Sequence, residues 1–189
     1  MNGPPWILIA GGVVALVLLL WFLGTFNGLV RLRQHVRESW HNIDVQLKRR
    51  YDLIPNLVET VKGYAKHERE LLERLMRERA KARANEGSVA SQEADERPLV
   101  RTLTQVIALA ERYPELKADM HFHELQEELV DTEDRIAAAR RFFNANVRDY
   151  NTRCEVFPSS IVAGMFGHRA ETYWNVEEAS HRERPSTAF

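Results

Sequence analysis

Residues Trp6 to Phe26, WILIAGGVVALVLLLWFLGTF, run for 21 positions without a charged side chain. In hydrocarbon every backbone polar group must bond within its own segment, and about 20 residues of helix cross a bilayer. The run therefore predicts a transmembrane helix with the lipid bilayer as partner along residues 6–26. A cleaved signal peptide fits less well. The leading MNGPP carries no Lys or Arg, the run exceeds the roughly 7–15 residues of a signal core, and no Ala-x-Ala site follows. A buried core helix is the other alternative. Arg31, Arg33 and Arg37 follow the run and no basic residue precedes it, so the positive-inside bias places everything after the span in the cytoplasm.

The remaining length supports one compact domain beside the anchor. A formal net charge of −1 argues against nucleic acid, which calls for a strongly basic face. A single cysteine, Cys154, excludes an internal disulfide and a Cys-only zinc site.

From Asn27 the apolar positions Leu29, Leu32, Val36, Trp40, Ile43 and Leu47 recur at steps of three and four, so a helix leaves the membrane without a linker. Pro55 lacks the amide a helix needs and Asp52 is a good cap, which predicts a break over Tyr51 to Pro55 and a second helix to Ala84. The stretch NEGSVASQEADERP, Asn85 to Pro98, reads as an exposed loop. A third helix is expected over Leu99 to Tyr113. A long fourth over Glu115 to Val156 carries the seam Leu125, Leu129, Thr132, Ile136, Ala139, Phe143, Val147, Tyr150, Cys154 and, just beyond it, Phe157. Ser159 and Ser160 can cap a short fifth helix that Gly164 and Gly167 end.

The pattern is all-α: a single transmembrane helix (1–26), an antiparallel four-helix bundle (27–168) and a loose polar tail (169–189). In a rival layout Pro55 and Pro114 only kink one long helical hairpin. Charge is uneven. Arg31 to Arg50 holds six basic and two acidic residues, whereas Glu111 to Asp134 holds nine acidic and two basic. The acidic stretch reads first as a solvated face or a neighbour of the basic helix, and second as a surface for a basic partner.

No catalytic, cofactor-binding or metal set assembles from these residues. A di-iron bundle needs two Glu-x-x-His pairs on facing helices. Glu38 with His41 supplies one, but Glu178 with His181 falls in the tail. His123 and Glu124 begin a zincin motif whose second histidine position is Glu127. Cys154 lies on the apolar seam and reads as a small core residue.

Two polar sets are richer than a solvated face requires. One is Asn42, Asp44, Gln46, Lys48, Arg49 and Arg50; the other is Asn144, Asn146 and Asp149 in FFNANVRDYN. Asn is a poor helix former, so the second set suggests an interlock with Asn42, Gln46 or Asn56 on a facing helix, ahead of a binding site. Both sets are candidates for partner contact or polar interlock.

The segments SWHNIDVQLKRRYDLIPNLVETVKGYAKHE, ERYPELKAD, RRFFNANVRDYN and FPSSIVAGMFG, in that order, resemble the signature of the bacterial LemA family of membrane-anchored helical proteins. The resemblance covers nearly all of the chain after the anchor. It implies one N-terminal span, a cytoplasmic four-helix bundle and a scaffolding or envelope-associated role without established enzymatic activity. The sequence departs from the pattern at His41, usually small and polar, and at His168, where an aromatic residue often follows the glycine. The second departure bears on whether the tail docks.

The expectation is a non-enzymatic scaffold or adaptor at the bacterial inner membrane, with an unidentified protein partner and room for a homo-oligomer. The alternative is a metal-binding or enzymatic bundle using inner-face polar residues.

Overall fold

The structure, a computed structural model, describes residues 5–174, without the side chains of 5–8. Among the described residues all regular structure is helical: α1 (Pro5–Tyr64), α2 (Arg69–Arg83), α3 (Val89–Ile107), a 3-10 turn (Ala108–Glu111), α4 (Pro114–Lys117), α5 (Met120–Glu155) and α6 (Ser159–Met165). They form two compact units. Unit 1 takes α1 up to Arg49 and Thr132–Thr172; unit 2 takes Arg50–Asp131 with Tyr173 and Trp174.

The apolar start of α1 is laid bare rather than covered. Val13, Leu16 and Leu20 are 56%, 56% and 60% exposed, which rules out a buried core helix for this stretch. The helix is long and apolar enough to cross a membrane.

In unit 1 the later part of α1 lies antiparallel to the second half of α5. Trp40 packs tilted against Phe143, ring centres 5.6 Å apart, and Asn146 reaches the His35 carbonyl at 3.5 Å, so a falling number on α1 meets a rising number on α5. Of the predicted seam residues, Val36, Ile43, Leu47, Ile136, Phe143, Val147 and Tyr150 are buried, whereas Phe157 is 76% exposed because α5 ends at Glu155 and the seam's helical period stops there. Each large apolar side chain so removed from water contributes about 1.5–3 kcal/mol.

Unit 2 corrects the predicted break. α1 passes straight through Pro55 to Tyr64, and the turn comes at 65–68. Proline cannot bond the carbonyl four residues earlier, that of Tyr51. Arg79 Nε of α2 donates to that carbonyl at 2.5 Å instead. The helix persists because a neighbouring side chain supplies the missing donor.

The predicted loop over Asn85 to Pro98 is likewise mostly helix. Ser88 caps α3 by accepting the Ser91 amide at 3.2 Å, and Pro98 lies inside it. The long fourth helix is divided. Pro114 opens α4, and Asp119 then caps α5 by accepting the Phe122 amide at 2.8 Å. The cap of α6 is Pro158 rather than a serine, while the Ser159 hydroxyl donates to the Arg153 and Val156 carbonyls at 2.8 and 2.9 Å.

The tail is not loose where it is described. Asn151 brackets the Glu171 backbone, donating to its carbonyl at 2.9 Å and accepting its amide at 2.8 Å. Trp174 is buried. The remainder of the predicted tail, 175–189, and the Glu178 and His181 pair lie outside the described residues.

Candidate functional site

Two features of unit 2 gather chemistry. The first is a groove of about 700 Å³ where α1 turns into α2. Its apolar floor is Val58, Ala65, Leu72 and Met76; around it stand Lys62, Lys66, Arg69 and Arg77, with Glu73 as the acidic member. Helical spacing builds the rim. Lys62 and Lys66 flank the turn, and Arg69, Glu73 and Arg77 follow one another at i,i+4 on α2. Arg69 Nε donates to Glu73 at 2.7 Å. That hydrogen bond holds the Glu73 carboxyl below its ordinary range and raises Arg69. With one carboxylate against four cations, the groove is positive around an apolar floor.

The turn is braced from below. Tyr64 donates its hydroxyl to Asp119 Oδ2 at 2.7 Å, and Arg112 donates to Glu68 at 2.9 Å. The Tyr64 hydrogen bond, followed by the Phe122 amide, lowers the Asp119 carboxyl, and the same contact raises the Tyr64 phenol.

The second feature is a buried polar cluster. Glu96 accepts from Arg50 through one oxygen and from the Tyr51 hydroxyl through the other. Gln92 Nε2 adds contacts at 2.9 Å to Glu96, 3.0 Å to the Tyr51 hydroxyl and 3.1 Å to the Ala82 carbonyl. Arg50 is 2% and Glu96 4% exposed. Both carboxylate oxygens are thus engaged by protein donors, an arrangement that locks α1 to α3 and offers no atom to a substrate. Next to it Asp95 accepts from Lys81 at 2.8 Å and from Asn85 at 2.6 Å. The Lys81 contact pulls its carboxyl down despite the opposing effect of burial.

The residues singled out from sequence are scattered. Arg50 is interior. Asn42 and Arg49 are exposed, Asp44 accepts from Lys48 at 2.7 Å, and Gln46 is half-buried with a buried Oε1 lacking a hydrogen-bond donor among the described residues. Asn144 and Asn146 are half-buried; Asn146 meets the His35 backbone rather than Asn42, Gln46 or Asn56. Asp149 is exposed beside Arg148 at 3.5 Å. Sequence reasoning missed Gln92, Glu93 and Glu96, all buried. The signals that could have found them are the Ser88 cap and the i,i+4 pair Glu93 to Arg97.

Among the described residues no three His, Cys, Asp or Glu side chains lie together as a metal site. Glu38 turns to His35 at 3.6 Å, and His121 to Glu124 at 3.5 Å, each pair on the surface. The Cys154 thiol is pushed up by burial, away from the thiolate a nucleophile needs. Its neighbour Tyr150 is raised to about 12, by burial first and the Cys154 hydrogen bond second. The Tyr150 hydroxyl also meets His168 Nδ1 at 3.0 Å, so the position that departs from the family pattern docks against α5.

Among known proteins the chain is similar to the magnetosome protein MamQ of Magnetospirillum gryphiswaldense, 24% identical over 94% of this chain and 75% of that protein. It is similar to magnetosome protein MamQ 2 of Paramagnetospirillum magneticum at 23% over the same shares. Protein LemA of Metamycoplasma hominis is 24% identical over 75% of this chain and 65% of its own length. The model of the LemA family matches residues 39–189, which takes in the groove and the buried polar cluster, and the chain therefore belongs to the LemA family.

Proposed function

We propose that this protein is a non-enzymatic adaptor anchored by residues 6–26 in a bacterial inner membrane, with its helical part in the cytoplasm. There its helices pack as an antiparallel four-helix bundle. The groove between α1 and α2 receives a protein partner presenting an acidic, apolar-faced helix. The observation that carries the reading is that groove: four cations around an apolar floor, on a chain that also carries an exposed apolar helix. Such a rim steers and orients an acidic partner, while the floor supplies the area that holds it. The positive flank of the span supports the cytoplasmic side.

The test is a membrane pull-down in gentle detergent with the full chain and a Lys62→Glu, Lys66→Glu, Arg77→Glu variant. These side chains lie on the rim, so helix content should stay unchanged while a specific co-purifying protein is lost. Identical recovery by both forms would remove the groove from the account.

A further inference from the structure

The stretch Val156 to Gly167, VFPSSIVAGMFG, has no charged residue and no histidine, between Glu155 on one side and His168 with Arg169 on the other. α6 buries one side, yet the side it shows is apolar as well. Ser159, Val162 and Ala163 turn inward, whereas Phe157 is 76%, Ile161 55%, Met165 68% and Phe166 50% exposed. A contiguous apolar face of this kind on a water-soluble surface marks a contact that something covers.

Its place in unit 1 says what covers it. The Phe166 ring lies 4.6 Å from Phe26 and 5.9 Å from Phe22, both within the apolar run that opens α1. Because α5 runs antiparallel to α1, its end returns the chain to the base of that run. We propose that Phe157 and the outer face of α6 enter the bilayer beside residues 22–26, as a second and shallow lipid contact. The proposal rests on the reading of residues 6–26 as a membrane span.

The backbone suits that position. A segment in the acyl boundary must satisfy its own polar groups. The Ser159 hydroxyl bonds the Arg153 and Val156 carbonyls, and the last turn closes through His168 N to the Ala163 carbonyl at 2.9 Å and Gly167 N to the Gly164 carbonyl at 3.4 Å. Gly167, at φ 68°, makes the left-handed turn that brings His168 back onto Tyr150. Charges resume on both flanks, so insertion stops at the headgroup level, as in helices that lie in the interface.

The test is spin-label accessibility on the full chain in phosphatidylcholine and phosphatidylglycerol vesicles. In a Cys154→Ser background, single nitroxides are placed at Leu18→Cys, Ile161→Cys, Met165→Cys and, on the exposed side of α5, Thr152→Cys. Labels at 18, 161 and 165 should collide with oxygen several-fold more, relative to a water-soluble nickel chelate, than the label at 152. If position 18 is shielded from nickel while 161 and 165 match 152, the inserted turn is wrong and the span stands. If position 18 itself meets nickel freely, both fall. Labels at 161 and 165 shielded from both reagents, with spin–spin broadening that vanishes on dilution with unlabelled chain, would place a second copy on this face and overturn the lipid contact.

Discussion

Arg50 and Phe143 are both about 2% exposed, one in each unit, and they sit in opposite kinds of interior. Around Phe143 unit 1 is apolar and aromatic, with Trp40, Val36, Ile43 and Val147 on the α1 and α5 seam. Around Arg50 unit 2 holds a carboxylate, a phenol and an amide in one hydrogen-bonded group. Their surfaces are reversed as well: unit 1 exposes the apolar face of α6, and unit 2 exposes a charged groove. An apolar seam tolerates small changes of shape, whereas a buried ion pair fails sharply when half of it is removed. Unit 2 is thus the part whose geometry depends on particular residues, and it carries the proposed partner groove.

The largest effect should come from splitting the pair. Glu96→Ala leaves the Arg50 guanidinium buried without its carboxylate and should cost about 3–5 kcal/mol, read by denaturant unfolding of the detergent-solubilised chain. Joint replacement by Arg50→Met and Glu96→Leu should recover most of that loss, because no charge is then stranded. Failure of the double variant to recover would mean that the cluster specifies the α1 to α3 packing itself.

In unit 1, Ile43→Ala should cost about 2–5 kcal/mol and Ile43→Val about 0.5–1.5 kcal/mol, a graded series that the ion pair should not show. Next, Asn151→Ala removes both hydrogen bonds to the Glu171 backbone, at about 1–3 kcal/mol. Hydrogen exchange at the Glu171 amide should accelerate while α1 amides keep their protection.

The smallest effect separates the units by pH. His168 titrates below its ordinary value near 6.5, first because of burial and then because of Arg33. Its folded form therefore binds protons less readily than its unfolded form. The stability of unit 1 should be level above about 6.5 and decline as pH falls below that value. Asp95 and Asp119 are lowered from 3.8, so their contribution to unit 2 is intact above that value and is lost only as pH falls through it. Acid titration followed by exchange should loosen unit 1 first, and His168→Gln should flatten its early decline.

Much of unit 1 was legible in the sequence because apolar spacing and burial coincide there. Leu29, Val36, Ile43, Leu47, Ile136, Phe143 and Val147 fall where a helical period puts them. Unit 2 was harder for two physical reasons. Pro55 loses one backbone bond, but Arg79 restores the Tyr51 carbonyl's partner from 28 residues away along the chain, which no local rule registers. Gln92, Glu93 and Glu96 are buried although polar, so a reading that equates polar with exposed turned the start of α3 into a loop. The groove was hidden for the same reason. Its lining joins two helices whose turn was expected more than ten residues earlier.

The side of the membrane on which the helical part lies is open to a direct measurement. A single cysteine at Glu86→Cys, exposed between α2 and α3, in a Cys154→Ser background can be offered a membrane-impermeant maleimide in intact spheroplasts and in inverted membrane vesicles. Labelling is expected in the inverted vesicles and none in intact spheroplasts. Labelling in intact spheroplasts would place the helical part outside and overturn the cytoplasmic placement.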